Sequence, residues 1–216
     1  MVVDQDLFER LLAVGLIILI GFPVHEFSHA WAANSLGDST ARYQGRLTLD
    51  PRVHIDPVGA LILVAGAFLG FLIGWAKPTP VNPYNLRAGR RGEALVALAG
   101  PASNLIMAGA VAIPIRLIRA DAALLAQIQA NPAADFVLGV AVYFVLINAI
   151  LFIFNFLPIP PLDGWRMLMG VVDARTAYSL RQFEQYGLFI LIALLLFGRE
   201  PLFALISAVR RFLLGF

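Results

Sequence analysis

Residues 21–31 read GFPVHEFSHAW, and they place two imidazoles and one carboxylate inside a run that is otherwise apolar. Residues four apart share one face of a helix, so His25 and His29 project side by side about 6 Å apart, close enough to hold one ion. Glu26 lies next to the first histidine. This is the HExxH spacing, in which two neutral imidazoles bind Zn²⁺ and the glutamate accepts a proton from the attacking water. The stretch therefore predicts a hydrolytic zinc centre on a helix.

The alternative interpretation is that these polar groups only form hydrogen bonds between packed helices. A lone histidine in a membrane helix is usually of that kind. Three ionisable groups at this spacing are costly in lipid, however, and such groups are typical of a functional site. We therefore favour the metal site.

The composition of the whole chain indicates a membrane protein. Hydrophobic residues make up 60% of it and charged residues 14%, against about 45–50% and about 25% in soluble domains. The net charge is only +2 over 216 residues, too little for the dense basic surface that nucleic acid requires. The expected partner is therefore the lipid bilayer and not nucleic acid. Because the chain has no cysteine, any metal must be bound by nitrogen and oxygen.

Hydropathy predicts four good membrane segments and two ambiguous ones. A helix that crosses a bilayer needs about 20 mostly apolar residues. The good segments cover residues 7–33, 94–118, 135–157 and 186–197, and the ambiguous ones cover residues 58–76 and 201–216. Residues 58–76, which four glycines punctuate, either cross or form a re-entrant loop. We expect four to six membrane segments in a single membrane-embedded domain over residues 1–216.

The hydrophobic period changes between the first membrane segment and residue 58. From residue 41 to residue 50, apolar or small side chains alternate strictly with polar ones, which predicts a short β-strand or hairpin on the membrane surface. The expected fold class is therefore an all-α polytopic membrane protein with one short surface β-strand or hairpin.

A catalytic zinc ion usually has three protein ligands and one open position. The candidates for the third ligand are His54, Asp50, Asp56 and Asp163. We favour Asp163 because Pro158 and Pro160 end the third good segment abruptly and leave backbone groups unpaired at membrane depth. Such broken helices are tolerated only beside protein or a water-filled cavity, and a carboxylate in that cavity is well placed to bind metal.

Three stretches resemble, in order along the chain, the signatures of the site-2 protease family of intramembrane zinc metalloproteases. They are HEFSH at 25–29, AGPASN at 99–104 and NFLPIPPLDG at 155–164. The phrases GRLTLDPRVHIDP and GWAKPTPVNP are similar to those of a compact prokaryotic branch without a PDZ or nucleotide-sensing domain. The resemblance covers roughly residues 10–170.

The resemblance implies a role for each matching residue. His25, His29 and Asp163 would bind Zn²⁺, Glu26 would be the catalytic base, and Asn155 would position the substrate. Four further residues are structural or of open function. We expect Asn104 to form an interhelical hydrogen bond, and the other three are His54, Pro158 and Pro160.

The implied substrate is a membrane protein with a transmembrane helix, cut in or near that helix in regulated intramembrane proteolysis. The free edge of the predicted strand would hold the unwound substrate, or the strand would only cover the site.

A single zinc site places a demand on topology. The two histidines lie toward the end of the first segment and Asp163 lies just past the end of its own, so these ends must face the same side. A re-entrant segment at residues 58–76 meets this demand, and Lys and Arg favour the cytoplasmic side. That arrangement places ten cations beside the site, namely Arg42, Arg46, Arg52, Lys77, Arg87, Arg90, Arg91, Arg166, Arg175 and Arg181, against Arg10, Arg116, Arg119 and Arg199. We predict an integral membrane protein with its active site near the cytoplasmic face, and the resemblance implies that the membrane is a prokaryotic cell membrane.

Two other function classes fit a polytopic membrane protein with buried histidines. A metal transporter would need ionisable groups at successive depths, whereas residues 94–115 and 136–157 contain no charged side chain. A catalytically silent scaffold would not need an intact glutamate beside both histidines. The sequence therefore favours hydrolysis over both.

Overall fold

Residues 4–215 are described by a computed structural model, and within this range helices make up the fold and no β-strand occurs. The helices are α1 (Gln5–Leu16), α2 (Phe22–Ser35), α3 (Thr40–Tyr43), α4 (Pro51–His54), α5 (Pro57–Leu69), α6 (Gly89–Ala120), α7 (Ala122–Ala130), α8 (Pro132–Phe156), α9 (Asp163–Val171), α10 (Ala174–Arg181), α11 (Gly187–Phe197) and α12 (Arg199–Leu214). A π-helical stretch, Ile17–Gly21, joins α1 to α2, and 3₁₀ turns occur at Pro83–Asn85 and Glu184–Tyr186.

Among residues 4–215, three helices are long and apolar enough to cross a bilayer. The continuous helix through α1 and α2 spans Gln5–Ser35, and α6 and α8 span Gly89–Ala120 and Pro132–Phe156. The chain is thus an integral membrane protein. The predicted segment at residues 186–197 contains only the 11 residues of α11, about 16 Å of helix. It reaches a crossing length only together with α10, from which it is bent by 42°. The predicted count of four to six segments therefore becomes three, or four with this bent pair.

Residues 58–76 consist of a helix and a following segment that returns beside it. Helix α5 has 13 residues and ends at Gly70, whose φ of 83° lies in the left-handed region that favours glycine. The chain then returns alongside α5 in an extended conformation, and a Cβ at Gly59 would lie 2.2 Å from the carbonyl oxygen of Trp75. The backbone N–H of Lys77 donates to the carbonyl of His54 at 2.8 Å. Both ends of this segment therefore lie together.

The predicted β-strand or hairpin at residues 41–50 is wrong. Residues 40–43 form the short helix α3, and the following residues are irregular. The Asp38 carboxylate accepts hydrogen bonds from the backbone N–H and the hydroxyl of Thr40. Such local side-chain bonds offer the backbone a turn in place of a strand ladder. Arg46, assigned by the alternation to a polar outer face, is instead 6% exposed and donates to the carbonyl of Lys77.

Helix α6 forms the centre of the packing, because α2, α8, α9 and α12 all contact it. Small residues on α6 and α8, such as Ala108, Ala112 and Ala149, are buried and let these helices approach closely. Asn131 starts α8 by accepting the N–H groups of Ala133 and Ala134. The result is a helical core in which α2 and the start of α9 meet on one side of α6.

Candidate metal centre

Three potential ligand atoms form a nearly equilateral triangle at the meeting point of α2 and α9. The Nε2 atoms of His25 and His29 are 3.1 Å apart. The Oδ2 atom of Asp163 lies 3.2 Å from the Nε2 of His25 and 3.1 Å from that of His29. Within residues 4–215 these three residues form the group of His, Asp and Glu side chains that could hold one metal ion. The structure thus brings together all three predicted ligands.

The chain positions these ligands from two distant segments. His25 and His29 lie one turn apart on the buried face of α2. Asp163 is the first residue of α9 and follows the proline-rich turn that ends α8. A Cβ at the neighbouring Gly164 would lie 2.3 Å from the carbonyl oxygen of Leu157. Glycine is therefore required where the chain folds back tightly to aim Asp163 at the histidines.

Gly100 gives the two imidazole rings their space. Helix α6 crosses α2 at this residue, and a Cβ there would lie 2.2 Å from the Nε2 of His29 and 2.7 Å from the Cε1 of His25. Real Cβ contacts are essentially never this short. The glycine of the AGPASN stretch therefore shapes the site itself, beyond the helix packing expected from the sequence.

The donor set fits a zinc ion. The Nδ1 of His29 lies 2.7 Å from the carbonyl oxygen of Val96; since a carbonyl only accepts, Nδ1 carries the proton and Nε2 presents a lone pair. The carboxylate oxygen of Asp163 is also an acceptor. Ligands about 2.0–2.2 Å from a tetrahedral zinc are about 3.3–3.6 Å apart, close to the observed separations. Buried acceptors that converge in this way fit a cation.

Glu26 lies beside the ligands and is held by a separate segment. It is 7% exposed, and its Oε2 accepts the backbone N–H of Thr79 at 2.7 Å. The hydroxyl of Thr79 donates in turn to the backbone carbonyl of Glu26 at 3.0 Å. Pro78 and Pro80 have no N–H, so Thr79 supplies the one amide donor of this stretch. Sequence reasoning missed Thr79, although its place between two prolines was a visible signal.

The competing ligand candidates lie elsewhere. His54 is fully buried, its Nε2 lies 2.7 Å from the carbonyl of Thr48, and burial lowers its pKa. The carboxylate of Asp50 pairs with Arg52 at 2.6 Å. Asp56 caps α5 by accepting two backbone N–H groups. His54 is therefore structural, and the two aspartates have local roles.

The remaining predicted residues lie on α6, on α8 and in the turn that follows α8. Asn104 is fully buried on α6, and its Oδ1 lies 2.6 Å from the Nδ1 of His25. Asn155 is half-buried and donates its amide nitrogen to the carbonyl of Leu151 at 3.0 Å; its substrate-binding role stays a prediction. Pro158 and Pro160 lie in the turn before α9, where the Pro160–Pro161 peptide is cis.

Comparison with known proteins places the chain among zinc metalloproteases. It is 35% identical over 198 residues to a Bacillus subtilis protein named "Putative zinc metalloprotease YwhC", an alignment that covers 89% of this chain and 85% of the relative. It is 31% identical to the Mycolicibacterium smegmatis protein "Putative zinc metalloprotease Rip2", over 90% of this chain and 73% of that relative. The profile described as "Peptidase family M50" matches residues 114–198. This chain belongs to peptidase family M50, the site-2 protease family. No solved structure matches it significantly.

Membership in family M50 confirms the predicted resemblance and the predicted cofactor, zinc. The profile match includes the NFLPIPPLDG stretch at residues 155–164 but not HEFSH at residues 25–29. The M50 chain is therefore a membrane zinc metalloprotease.

Asp38 is a second buried carboxylate that sequence reasoning missed. Its oxygens accept the N–H of Thr40, the N–H of Asn82 and the side-chain amide of Asn85. Burial alone would raise the pKa of Asp38, but these hydrogen bonds hold it below its ordinary value. Asp38 thereby ties the end of α2 to the loop that carries Thr79.

Proposed function

We propose that this M50 protease hydrolyses peptide bonds in or next to the transmembrane helices of membrane proteins, in regulated intramembrane proteolysis. In this proposal His25, His29 and Asp163 bind zinc, Glu26 is the general base and Asn155 positions the substrate. The observation that carries it is the convergence of the three ligands among helices of membrane-spanning length.

The depth of the site supports cleavage within the membrane. The first spanning helix ends at Ser35, and His29 and His25 precede that end by six and ten residues. At 1.5 Å per residue they lie about 9 Å and about 15 Å from the helix end. The part of the same helix that precedes His25 packs in an apolar core through Ala13, Val14, Ile17 and Phe22. A protease whose ligands lie this far inside an apolar helix acts on a substrate that enters the bilayer.

The distribution of cations supports an active site near the cytoplasmic face of a prokaryotic membrane. The carbonyl of Phe212 accepts a hydrogen bond from Arg116, so the end of α12 lies beside the far end of α6. Arg210 and Arg211 therefore join the four cations opposite the site, and the 16 Lys and Arg residues divide into ten and six. The bias is smaller than the predicted ten against four but keeps its direction, and Lys and Arg favour the cytoplasmic side.

The geometry supports Glu26 as the group that transfers protons. Zinc held by the triad would polarise the scissile carbonyl and lower the pKa of water to about 7. The Oε2 of Glu26 is bonded to Thr79, and its Oε1 has no hydrogen-bond partner within residues 4–215. Oε1 is thus the atom that takes the proton from the attacking water and passes it to the leaving amine.

The substrate must present an extended segment to this site. A helical substrate holds its peptide groups in internal hydrogen bonds, so it unwinds locally before cleavage. Asn155 donates its amide nitrogen to its own helix, which leaves its Oδ1 to accept an N–H of the unwound chain. The strand edge predicted near residues 42–49 does not exist and plays no part in this binding.

The test is zinc content together with cleavage of a panel of model transmembrane helices by purified protein. Glu26→Gln should keep about one zinc per chain and lose cleavage, because a general base contributes about 10²–10⁴-fold. Asp163→Asn should weaken both, and the control Asp50→Asn should change neither. Cleavage that survives in Glu26→Gln would contradict the mechanism. Zinc transport across vesicles without cleavage would instead support the rival transporter.

A further inference from the structure

A chain of three buried hydrogen bonds leads away from the metal centre across two helices. The Oδ1 of Asn104 on α6 lies 2.6 Å from the Nδ1 of His25. The amide nitrogen of Asn104 donates to the Oδ1 of Asn148 on α8 at 2.9 Å. The amide nitrogen of Asn148 donates to the carbonyl of Phe144 at 2.9 Å. Both asparagines are fully buried, so neither has water as an alternative partner.

The carbonyl of Phe144, at the far end of this series of hydrogen bonds, fixes the direction of each bond in the series. The carbonyl of Phe144 only accepts, so Asn148 must turn its amide nitrogen toward Phe144 and its oxygen toward Asn104. That oxygen also only accepts, so Asn104 must present its nitrogen to Asn148 and its oxygen to His25. The Nδ1 of His25 therefore carries the proton, and its Nε2 presents a lone pair to the metal centre.

We propose that Asn148, which touches neither histidine, acts through Asn104 to select the tautomer of His25 that binds zinc. Both asparagines are positioning residues, and the inference rests on the proposed zinc ligation by His25. His29 needs no such help, because the backbone carbonyl of Val96 fixes its tautomer. The two ligands on α2 thus differ, because a backbone carbonyl orients His29, whereas the side chains of Asn104 and Asn148, which substitution can remove, orient His25.

Removal of the Asn148 side chain allows the side-chain amide of Asn104 to rotate, so that its oxygen and nitrogen exchange places. With leucine at residue 148, the amide nitrogen of Asn104 loses its buried acceptor. Turning the amide over lets that nitrogen donate to the Nδ1 of His25 and leaves the amide oxygen unpaired instead, which protein interiors tolerate better than an unpaired N–H. His25 would then carry its proton on Nε2, directed at the position of the ion. Loss of groups that orient a metal ligand typically costs about 10–100-fold in metal affinity.

A double-mutant cycle on zinc affinity tests the proposal. The Kd for zinc is measured by competition with a chromophoric chelator for the wild type, Asn104→Leu, Asn148→Leu and the double variant. We expect each single variant to bind zinc about 10–100-fold more weakly and Asn148→Leu to add less than about 2-fold in the Asn104→Leu background. Independent, multiplying effects would overturn the proposal, because they would show that Asn148 acts by packing alone.

A rescue variant separates tautomer selection from damage to the fold. A carboxylate only accepts, so Asn104→Asp should direct the Nδ1 proton of His25 without help from residue 148. Introduced into Asn148→Leu, it should restore zinc affinity to within about 5-fold of the wild type. A double variant that stays as weak as Asn148→Leu would overturn the proposal, since a packing defect at residue 148 is not repaired by a charge at residue 104.

A spectroscopic readout reports the tautomer directly. In zinc-free protein with ¹⁵N-labelled histidine, the signals assigned to His25 by comparison with His25→Gln should show a protonated Nδ1, and Asn148→Leu should move the proton to Nε2. An unchanged tautomer in Asn148→Leu would overturn the inference. If His25→Gln itself leaves zinc affinity intact, the proposed zinc ligation fails; if His25→Gln weakens zinc and Asn148→Leu does not, only the present inference fails.

Discussion

Gly100 has no side chain, and the two imidazoles of the metal centre occupy the space that a side chain would fill. We expect Gly100→Ala to lower zinc affinity and cleavage by about 10-fold or more, as displaced metal ligands do, because its Cβ would lie 2.2 Å from the Nε2 of His29. The matched control is Gly109→Ala on the same helix, where a Cβ meets nothing within 4 Å. Equal zinc affinity in the two variants would contradict the steric role of Gly100.

Thr79 holds Glu26 through two different groups, and two variants separate them. Thr79→Val keeps the N–H that donates to the Glu26 carboxylate and loses only the hydroxyl bond, so cleavage should stay within a few-fold of the wild type. Thr79→Pro removes the N–H and should lower kcat by about 10-fold or more, a part of what a general base contributes. Zinc content should stay unchanged in both variants, because Glu26 lies outside the ligand group. Full activity in Thr79→Pro would show that the carboxylate needs no such support.

The residues that the sequence could predict are those whose partners are near in the chain. His25, Glu26 and His29 follow from a helical spacing of four residues. Asp163 required the broken helix and the family resemblance, because it lies 134 residues from His29. Asn148 could not be predicted, since its partner Asn104 lies 44 residues away and no local pattern encodes that contact. Thr79 was marked only by its place between two prolines, and its partner Glu26 lies 53 residues away.

At the scale of elements, the Asp38 carboxylate links α2, α3 and the loop that carries Thr79. In Asp38→Asn the new amide N–H₂ would face the N–H of Asn82, so we expect a loss of about 1–3 kcal/mol in the free energy of unfolding.

The contribution of Asp38 to stability should also depend on pH. Because hydrogen bonds lower the pKa of Asp38, this contribution is full above the unfolded-state pKa of about 3.9 and declines as the pH falls through the lower folded pKa. Thermal unfolding at several pH values measures both effects. A stability gap between wild type and variant that does not shrink in acid would contradict this role.

The same carboxylate explains why one element was predicted wrongly. Strict alternation at residues 41–50 favours a strand, but Asp38 accepts the N–H and hydroxyl of Thr40 in a local turn at the start of α3. Three of the four predicted good segments match helices of spanning length in the described residues, because long apolar runs leave few alternatives in a bilayer, whereas the one at residues 186–197 is too short to cross alone. The returning segment at residues 58–76 was left open in the sequence, and the contact between Gly59 and Trp75 that decides it lies in the folded chain.

At the scale of the whole molecule, buried polar side chains gather on one side. Ten polar or charged residues of the described range are buried: His25, Glu26, Asp38, His29, Arg46, His54, Thr79, Ser103, Asn104 and Asn148. All except His54 belong to the metal centre or form a hydrogen bond with a residue or loop beside it, whereas the ring of His54 pairs with the carbonyl of Thr48. A transporter would need ionisable groups at successive depths, whereas the buried ionisable residues of the spanning helices within residues 4–215 are His25, Glu26 and His29, which lie within about one turn of α2.

This concentration depends on a topology in which residues 57–76 enter and leave the bilayer on one side. Because the chain has no cysteine, single-cysteine variants report topology without background labelling. Tyr43 and Tyr84 flank this segment and are 87% and 97% exposed, and Gln127 lies exposed on α7 at the opposite ends of α6 and α8. In sealed vesicles, an impermeant thiol reagent should label Tyr43→Cys and Tyr84→Cys from the cytoplasmic side and Gln127→Cys from the other. Labelling of residues 43 and 84 from opposite sides would mean that residues 57–76 cross the membrane, and it would place the ends of α2 and α8 on different faces. One zinc ion could not then be bound by His25, His29 and Asp163 together, so this measurement tests the fold and the proposed chemistry at once.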